Sequence, residues 1–243
     1  LALKKFILNN VNIEYNDFTN GDELKIVNIE HKGKGDFSTE LFDYISKTSI
    51  EKLSLRQGLI RYLSNAKLDF DSKININQTV NKYSFKDAKL TLNDLGLLFN
   101  GFVQTFDDKT NLDVQFKADK TSFKSILSMI PAIYAKDFDK VKATGNLALD
   151  GSLKGFLQGE NYPNFNLNLK VDNGKFQYPD LPTSVNDVFI NANIAHTQGN
   201  LDNTIIDLSK LDFKMGTEPI AARLKVSTPI SDPNVDLMAK GKL

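Results

Sequence analysis

The residues able to carry chemistry are few and scattered. The chain has 2 histidines and no cysteine. His31 lies in Ile29-Glu30-His31-Lys32-Gly33-Lys34-Gly35, and His196 in Ala195-His196-Thr197-Gln198-Gly199. A histidine beside Glu30 could act as a general base, but a base needs a nucleophile and an orienting group within reach. Neither segment supplies them. Both histidines are expected at strand ends running into glycine turns, with exposed imidazoles. The same holds for Lys32 and Lys34, flanked by Glu30 and Asp36, which read as a solvated turn.

The tightest carboxylate pairs are Asp107-Asp108 and Asp137 with Asp139. A Ca²⁺ loop spaces Asp and Asn around a glycine and closes on Glu. Asp107-Asp108-Lys109-Thr110-Asn111 has neither glycine nor Glu and reads as a hairpin loop. Asp137 and Asp139 fit alternate positions on an extended segment facing water. Without cysteine, thiolate zinc sites, disulfides and cysteine nucleophiles are excluded, and no His/carboxylate set has metal-ligand spacing. Gly-x-Gly-x-x-Gly, Walker and Gly-x-Ser-x-Gly motifs do not occur. The residues point to a non-enzymatic chain without metal or cofactor.

Composition narrows the partners. Lys plus Arg is 30 and Asp plus Glu is 30, so the net charge is zero. A nucleic-acid binder would show a basic face and pair its aromatics with arginine. Here the only arginines are Arg56, Arg61 and Arg223, and tryptophan is absent. No run of eighteen apolar residues is present to form a membrane-spanning helix. The chain opens on Leu1 and closes on Leu243, both inside alternating patterns. Residues 1–243 are therefore expected to be one elongated segment of a larger protein.

The elements that must position any site are strands. Val188, Ile190, Ala192 and Ile194 alternate with mostly polar neighbours, as do Phe165, Leu167, Leu169 and Val171. Leu112, Val114, Phe116 and Ala118 repeat the pattern, and so do Leu147, Leu149 and Leu153, and Val235, Leu237 and Ala239. Alternate side chains of a strand point to opposite faces, so these strands share one apolar and one wet face, the habit of antiparallel sheets. Asn173-Gly174 predicts a type I′ hairpin turn. Asn20-Gly21, Asn100-Gly101, Asp150-Gly151 and Met215-Gly216 predict further turns. Six prolines, Pro163, Pro179, Pro182, Pro219, Pro229 and Pro233, are expected between strands. About a dozen strands result.

One segment has helical spacing. Phe123, Ile126, Leu127 and Ile130 fall on one face of a helix predicted over 121–130, capped by Asp119 or Thr121 and ended by Pro131. A sub-boundary is expected within 119–140. The fold class is all-β with one or two short helices. A one-sided sheet this long must hide its apolar face by packing a second sheet on it, closing into a barrel, or curling around an apolar ligand. Periodicity leaves the closed two-layer β-sandwich and the long curved groove both open.

Longer segments carry a family likeness. They are Phe123 to Tyr134, Val141 to Gly155, Tyr162 to Pro182 and Ala222 to Pro233, with weaker similarity at Leu68-Asp69-Phe70 and at Leu90 to Leu95. Together they resemble the AsmA-like family of bacterial cell-envelope proteins, most closely members from Bacteroidetes-type bacteria. The resemblance implies a long antiparallel sheet curled into a groove with an apolar inner face. It implies a periplasmic location, and a parent anchored in the inner membrane through a helix absent from this chain. It also implies transfer of phospholipid or other acyl-chain lipid toward the outer membrane, or support of its assembly alongside other envelope proteins. Acyl chains would then lie along Leu112, Val114, Phe116, Leu147, Leu149, Leu167, Leu169, Val188, Ile190, Ile194, Leu224 and Val226. The competing expectation is a structural or protein-interaction β-sandwich module without bound lipid.

Overall fold

The computed structural model describes residues 4–58, 60–119, 122–129, 141–177 and 183–241. Thirteen strands follow one another: β1 (Lys5–Asp17), β2 (Asp22–Lys34), β3 (Leu41–Gln57), β4 (Ile60–Asn77), β5 (Lys82–Leu92), β6 (Leu95–Thr105), β7 (Thr110–Ala118), β8 (Lys142–Leu157), β9 (Asn164–Gln177), β10 (Val185–His196), β11 (Thr204–Met215), β12 (Glu218–Ser227) and β13 (Asn234–Gly241). Each strand pairs with the next, so the sheet order is the chain order. All pairings are antiparallel. The result is one long, curved, open sheet. At about 4.8 Å per strand it is on the order of 55–60 Å wide. Among the described residues no second sheet packs on it, so the fold is the long curved sheet and not the closed two-layer sandwich.

The strands are interrupted by bulges where an Asn or Asp takes a left-handed backbone. Asn10, Asn28, Asn65, Asp87, Asn173 and Asp187 all have φ between 49° and 56° and sit inside β1, β2, β4, β5, β9 and β10. Register shifts flank each one. Asn and Asp tolerate this region better than other side-chain-bearing residues. A bulge inserts one extra residue, bends its strand and raises the local twist, which is how a long sheet curves. The amides displaced from the ladder find side chains on neighbouring strands. Asn10 N–H donates to Glu30 (2.9 Å), Asn28 N–H to Asn12 (2.8 Å), Asn65 N–H to Ser54 (2.9 Å) and Asp87 N–H to Asn100 (2.9 Å).

This corrects several turn assignments. Asn173-Gly174 is a bulge in the middle of β9, not a hairpin turn. Asp150-Gly151 lies inside β8 and Asn100-Gly101 inside β6. Asn20-Gly21 and Met215-Gly216 do form turns between strands. Pro219 is the second residue of β12 rather than a connection; Pro179 and Pro182 lie outside the described residues. At Gly101 (φ 131°) an added Cβ would run into the Asp113 carbonyl, so the close approach of β6 to β7 requires glycine there.

The helix α1 covers Phe123–Leu127, shorter than predicted; Thr121, Ile130 and Pro131 lie outside the described residues. Its N-cap is Ser122, with no side-chain cap. Asp119 instead pairs with Lys89 at 2.6 Å. A short 3₁₀ turn, Leu201–Asn203, precedes β11. α1 fills a notch. β7 stops at a pairing of Lys117 with Asp150, leaving the first residues of β8 without that neighbour. Ser122 bridges to Asn146 of β8. Across the notch, Asn93 Nδ2 donates to the Ser128 carbonyl at 3.0 Å. Phe123, 2% exposed, meets Leu95, Leu147, Leu149, Val171, Val185 and Val188 in the core cluster. β7 and β8, which flank the helix segment in the chain, are hydrogen-bonded neighbours in the sheet.

Candidate functional site: an apolar face thirteen strands wide

Directly opposed residues in an antiparallel pair share a face. The registers therefore trace rows across the sheet. Phe99, Phe116, Gly151, Leu167, Ile194, Ile206, Val226 and Val235 form one row from β6 to β13. Leu149, Leu169, Ala192, Leu208, Leu224 and Leu237 form the adjacent row, and Leu147, Val171, Ile190, Leu211, Ala222 and Ala239 the next. Toward the other edge, Val11, Ile29, Ile50, Leu68, Leu92 and Leu95 continue the face from β1 to β6. None of these rows contains Lys, Arg, Asp or Glu.

All twelve sequence-predicted lining residues lie on this face. Leu112 opposes Val103, Val114 opposes Leu153, and Val188 opposes Gly174 across the bulges. They are not equivalent. Leu147 (1% exposed), Leu149 and Val188 are buried with Phe123, and Leu167, Leu169 and Ile190 pack partly against that cluster. Leu112, Val114, Phe116, Ile194, Leu224 and Val226 remain half-exposed. At the edges the face is open: Ile13, Tyr15 and Leu237 are 45, 56 and 64% exposed. The sequence reading missed the β1–β6 half of the face. Its alternation is broken by the bulges at Asn10, Asn28, Asn65 and Asp87, although Leu8, Val11, Ile13 and Ile26 were visible as apolar residues.

Both histidines belong to this face and neither is an exposed imidazole; His31 lies inside its strand, whereas His196 stands at the strand end where it was expected. His31 lies within β2, its Nδ1 2.8 Å from Thr48 Oγ1 and its Nε2 2.7 Å from the Tyr44 hydroxyl. Tyr44 crosses over Gly33, where any Cβ would collide with its ring. Burial pushes the Tyr44 phenol above its ordinary pKa. Beside this group Ser46 and Ser72 hydrogen-bond at 2.9 Å, both buried. The cluster is a polar island in the apolar face, satisfied by its own members. His196 ends β10, 7% exposed, with Nδ1 3.0 Å from Thr204 Oγ1. No nucleophile–base–orienter arrangement is built around either ring.

Most of the charge lies on the other face, with Asp17, Asp22 and Glu218 at strand ends as exceptions. Lys73–Asp43 (2.8 Å), Lys47–Asp71 (3.4 Å), Lys154–Asp113 (3.4 Å) and Lys170–Asp172 (2.9 Å) pair there. Lys32 and Lys34 are exposed residues of β2, not of a turn. A hollow of about 930 Å³ is lined by Asp187, Phe189, Lys210, Asp212, Lys214 and Glu218 among others. Two of its carboxylates are paired with lysines: Lys214–Asp187 at 2.8 Å and Lys210–Asp212 at 3.5 Å. Asp107-Asp108 occupies the β6–β7 loop as expected; Asp137 and Asp139 lie outside the described residues. Among the described residues there is no cluster of three or more His, Asp or Glu able to hold a metal, and no helix long and apolar enough to cross a membrane. Comparison with family models, with curated proteins and with solved structures finds no match for this chain.

Proposed function

We propose that this chain is a non-enzymatic lipid-binding segment of the bacterial envelope, whose apolar sheet face receives acyl chains during transfer or assembly of outer-membrane lipid. One observation carries the reading: an apolar face thirteen strands wide with no second sheet over it among the described residues. Exposed apolar patches on soluble proteins rarely exceed about 300–600 Å² without a partner. Each buried methylene contributes about 0.8 kcal/mol, so an acyl chain laid along half-exposed Leu224, Val226, Ile194 and Val114 gains many small, non-directional contacts. Such contacts permit sliding, and transfer needs no bond to be made or broken. The resemblance to AsmA-like proteins supports the same reading, including a periplasmic setting and an anchored parent.

The test is native mass spectrometry of the purified chain, with organic extraction of bound material and uptake from phosphatidylethanolamine/phosphatidylglycerol vesicles. Phospholipid adducts are expected on the wild type, and their loss in Leu224→Asp and Val114→Asp, both at half-exposed positions. Adducts undiminished in both folded variants, or no uptake by the wild type, would overturn the proposal.

A further inference from the structure

Four hydroxyls and one imidazole interrupt the apolar face near one end of β2, β3 and β4. Gly33, Ser46 and Ser72 stand opposite one another across these strands, and His31 stands opposite Thr48 in the neighbouring row. Tyr44 reaches back over Gly33 to His31. Apolar residues surround the group: Leu8 opposes His31, Phe70 opposes Thr48, and Ile74 opposes Tyr44. The ring centroids of Phe6 and Phe37 lie 5.6 Å from His31 and 5.5 Å from Tyr44. Lys32, Lys34, Lys47 and Lys73 belong to the same strands but alternate with these residues, so they stand on the wet face.

Every polar atom of this island has a partner, yet its hydrogens outnumber its bonds. A neutral imidazole carries one N–H. With the Tyr44 and Thr48 hydroxyls it supplies three hydrogens to the two bonds, at 2.7 and 2.8 Å. If Nδ1 carries the proton and donates to Thr48, Tyr44 donates to Nε2 and the Thr48 hydrogen is left over. In the other tautomer the Tyr44 hydrogen is left over. Ser46 and Ser72 supply two hydrogens to one bond at 2.9 Å and leave another. None of these hydroxyls has a further hydrogen-bond partner among the described residues. Two O–H groups therefore lack acceptors, on residues about 7 Å apart along β3. A ligand that brought only hydrocarbon would shut them away unpaired, which is unfavourable. A phosphate is held best by charged donors, and the lysines here stand on the opposite face. Neutral acceptors without hydrogens of their own meet both conditions, and the carbonyl that joins an acyl chain to glycerol is such a group. Resting on the lipid reading above, we propose that this island is an ester-binding site, which receives the two carbonyl oxygens of a diacyl glycerolipid. The chains extend from it over the adjoining apolar row, Ile29, Ile50 and Leu68. The headgroup passes the near ends of β2 and β3 toward the 35–40 loop and water.

The test loads the chain from vesicles holding equal amounts of phosphatidylglycerol and its diether analogue of the same chain length. The diether keeps the headgroup and chains but has no carbonyl oxygens, and native mass spectrometry separates the two adducts by mass. The wild type should take up the diester about tenfold in preference, the effect of leaving the donors unpaired against the diether. Tyr44→Phe, His31→Leu and Thr48→Val together remove one set of donors, and Ser46→Ala with Ser72→Ala removes the other. All partners of each bond go together, so no half-paired group stays behind. Each set should lower the preference, and all five changes should bring it to parity with diether uptake unchanged. Equal uptake of the two lipids by the wild type, or full preference kept by the five-fold variant, would overturn the ester site and leave the lipid reading standing. Uptake of neither lipid by the wild type would overturn both.

Discussion

His196 and Thr204 stand directly opposite each other on β10 and β11, with Nδ1 3.0 Å from Oγ1, and His31 and Thr48 repeat the relationship on β2 and β3 at 2.8 Å. Both pairs sit on the apolar face. They differ at the second ring nitrogen. In His31 it meets the Tyr44 hydroxyl at 2.7 Å; in His196 the buried Nε2 has no protein partner.

That difference predicts unequal consequences of removing each ring. His31→Leu strands two part-buried hydroxyls, and a buried polar group left unpaired costs about 1–3 kcal/mol. His196→Leu strands only the Thr204 hydroxyl and removes a nitrogen that was already unpaired. His31→Leu should therefore lower the urea midpoint clearly more than His196→Leu, with unchanged slopes. The reverse order would show that the Tyr44–His31–Thr48 chain contributes little.

Much of the architecture was legible in the sequence because the sheet is one-sided. Residues such as Leu167, Leu169 and Val171 alternate strictly, since one face meets water along the whole of β9. The bulges were not legible. Asn173-Gly174 carries the chemistry of a hairpin turn because a type I′ turn and a bulge both need a left-handed residue; only pairing on both sides of β9 tells them apart. His31 was misplaced for a related reason. Gly33 and Gly35 look like turn residues, yet Gly33 is small so that Tyr44 can cross over it. The separation of Leu147 from Leu224, one under α1 and one half-open, depends on where β7 ends, which no local pattern reports.

The bulge at Asn173 makes its own prediction. With φ at 51°, a side chain beyond Cβ is tolerated because Asn is among the residues that visit this region. Asn173→Ala should destabilise by about 1–2 kcal/mol, the penalty for a left-handed alanine, whereas Asn173→Gly should be nearly neutral. Thermal or urea unfolding of the two variants checks the order. Equal losses would mean that the Asn side chain, rather than the backbone angle, matters there.

Phe123 anchors α1, and its seat depends on Gly174. A Cβ on Gly174 would lie 2.9 Å from Val188 Cβ and 3.0 Å from Phe123 Cε1, tighter than packed atoms accept. Gly174→Ala should destabilise by about 1–3 kcal/mol through overpacking. Phe123→Ala should cost about 3–5 kcal/mol through the cavity it leaves. Because both act on the same seat, the double variant should lose less than the two single losses combined, since the alanine methyl then enters the space the ring vacates. Additive losses in a double-mutant cycle would show that α1 is held elsewhere.

Asp202, in the 3₁₀ turn, holds the β12–β13 loop. Its Oδ1 accepts the amides of Ser231 and Ile230, both at 3.0 Å. Donation from Ser231, and then from Ile230, keeps its pKa below the ordinary 3.8. The sign follows from linkage: a carboxylate depressed on folding favours the folded loop above its unfolded pKa, and that contribution fades as the pH falls through the lower folded value. Above about pH 5 the carboxylate is ionised in both states and the anchoring is constant. Amide exchange at Ile230 and Ser231, corrected for its intrinsic pH dependence, should lose protection as the pH falls below 3.8. In Asp202→Asn protection should be lower at neutral pH and should not fall with acid through this group. If the wild type kept its protection down to acid unfolding, the loop would be held by the Thr228 hydroxyl, which donates to the Asp232 carbonyl at 2.6 Å, rather than by Asp202.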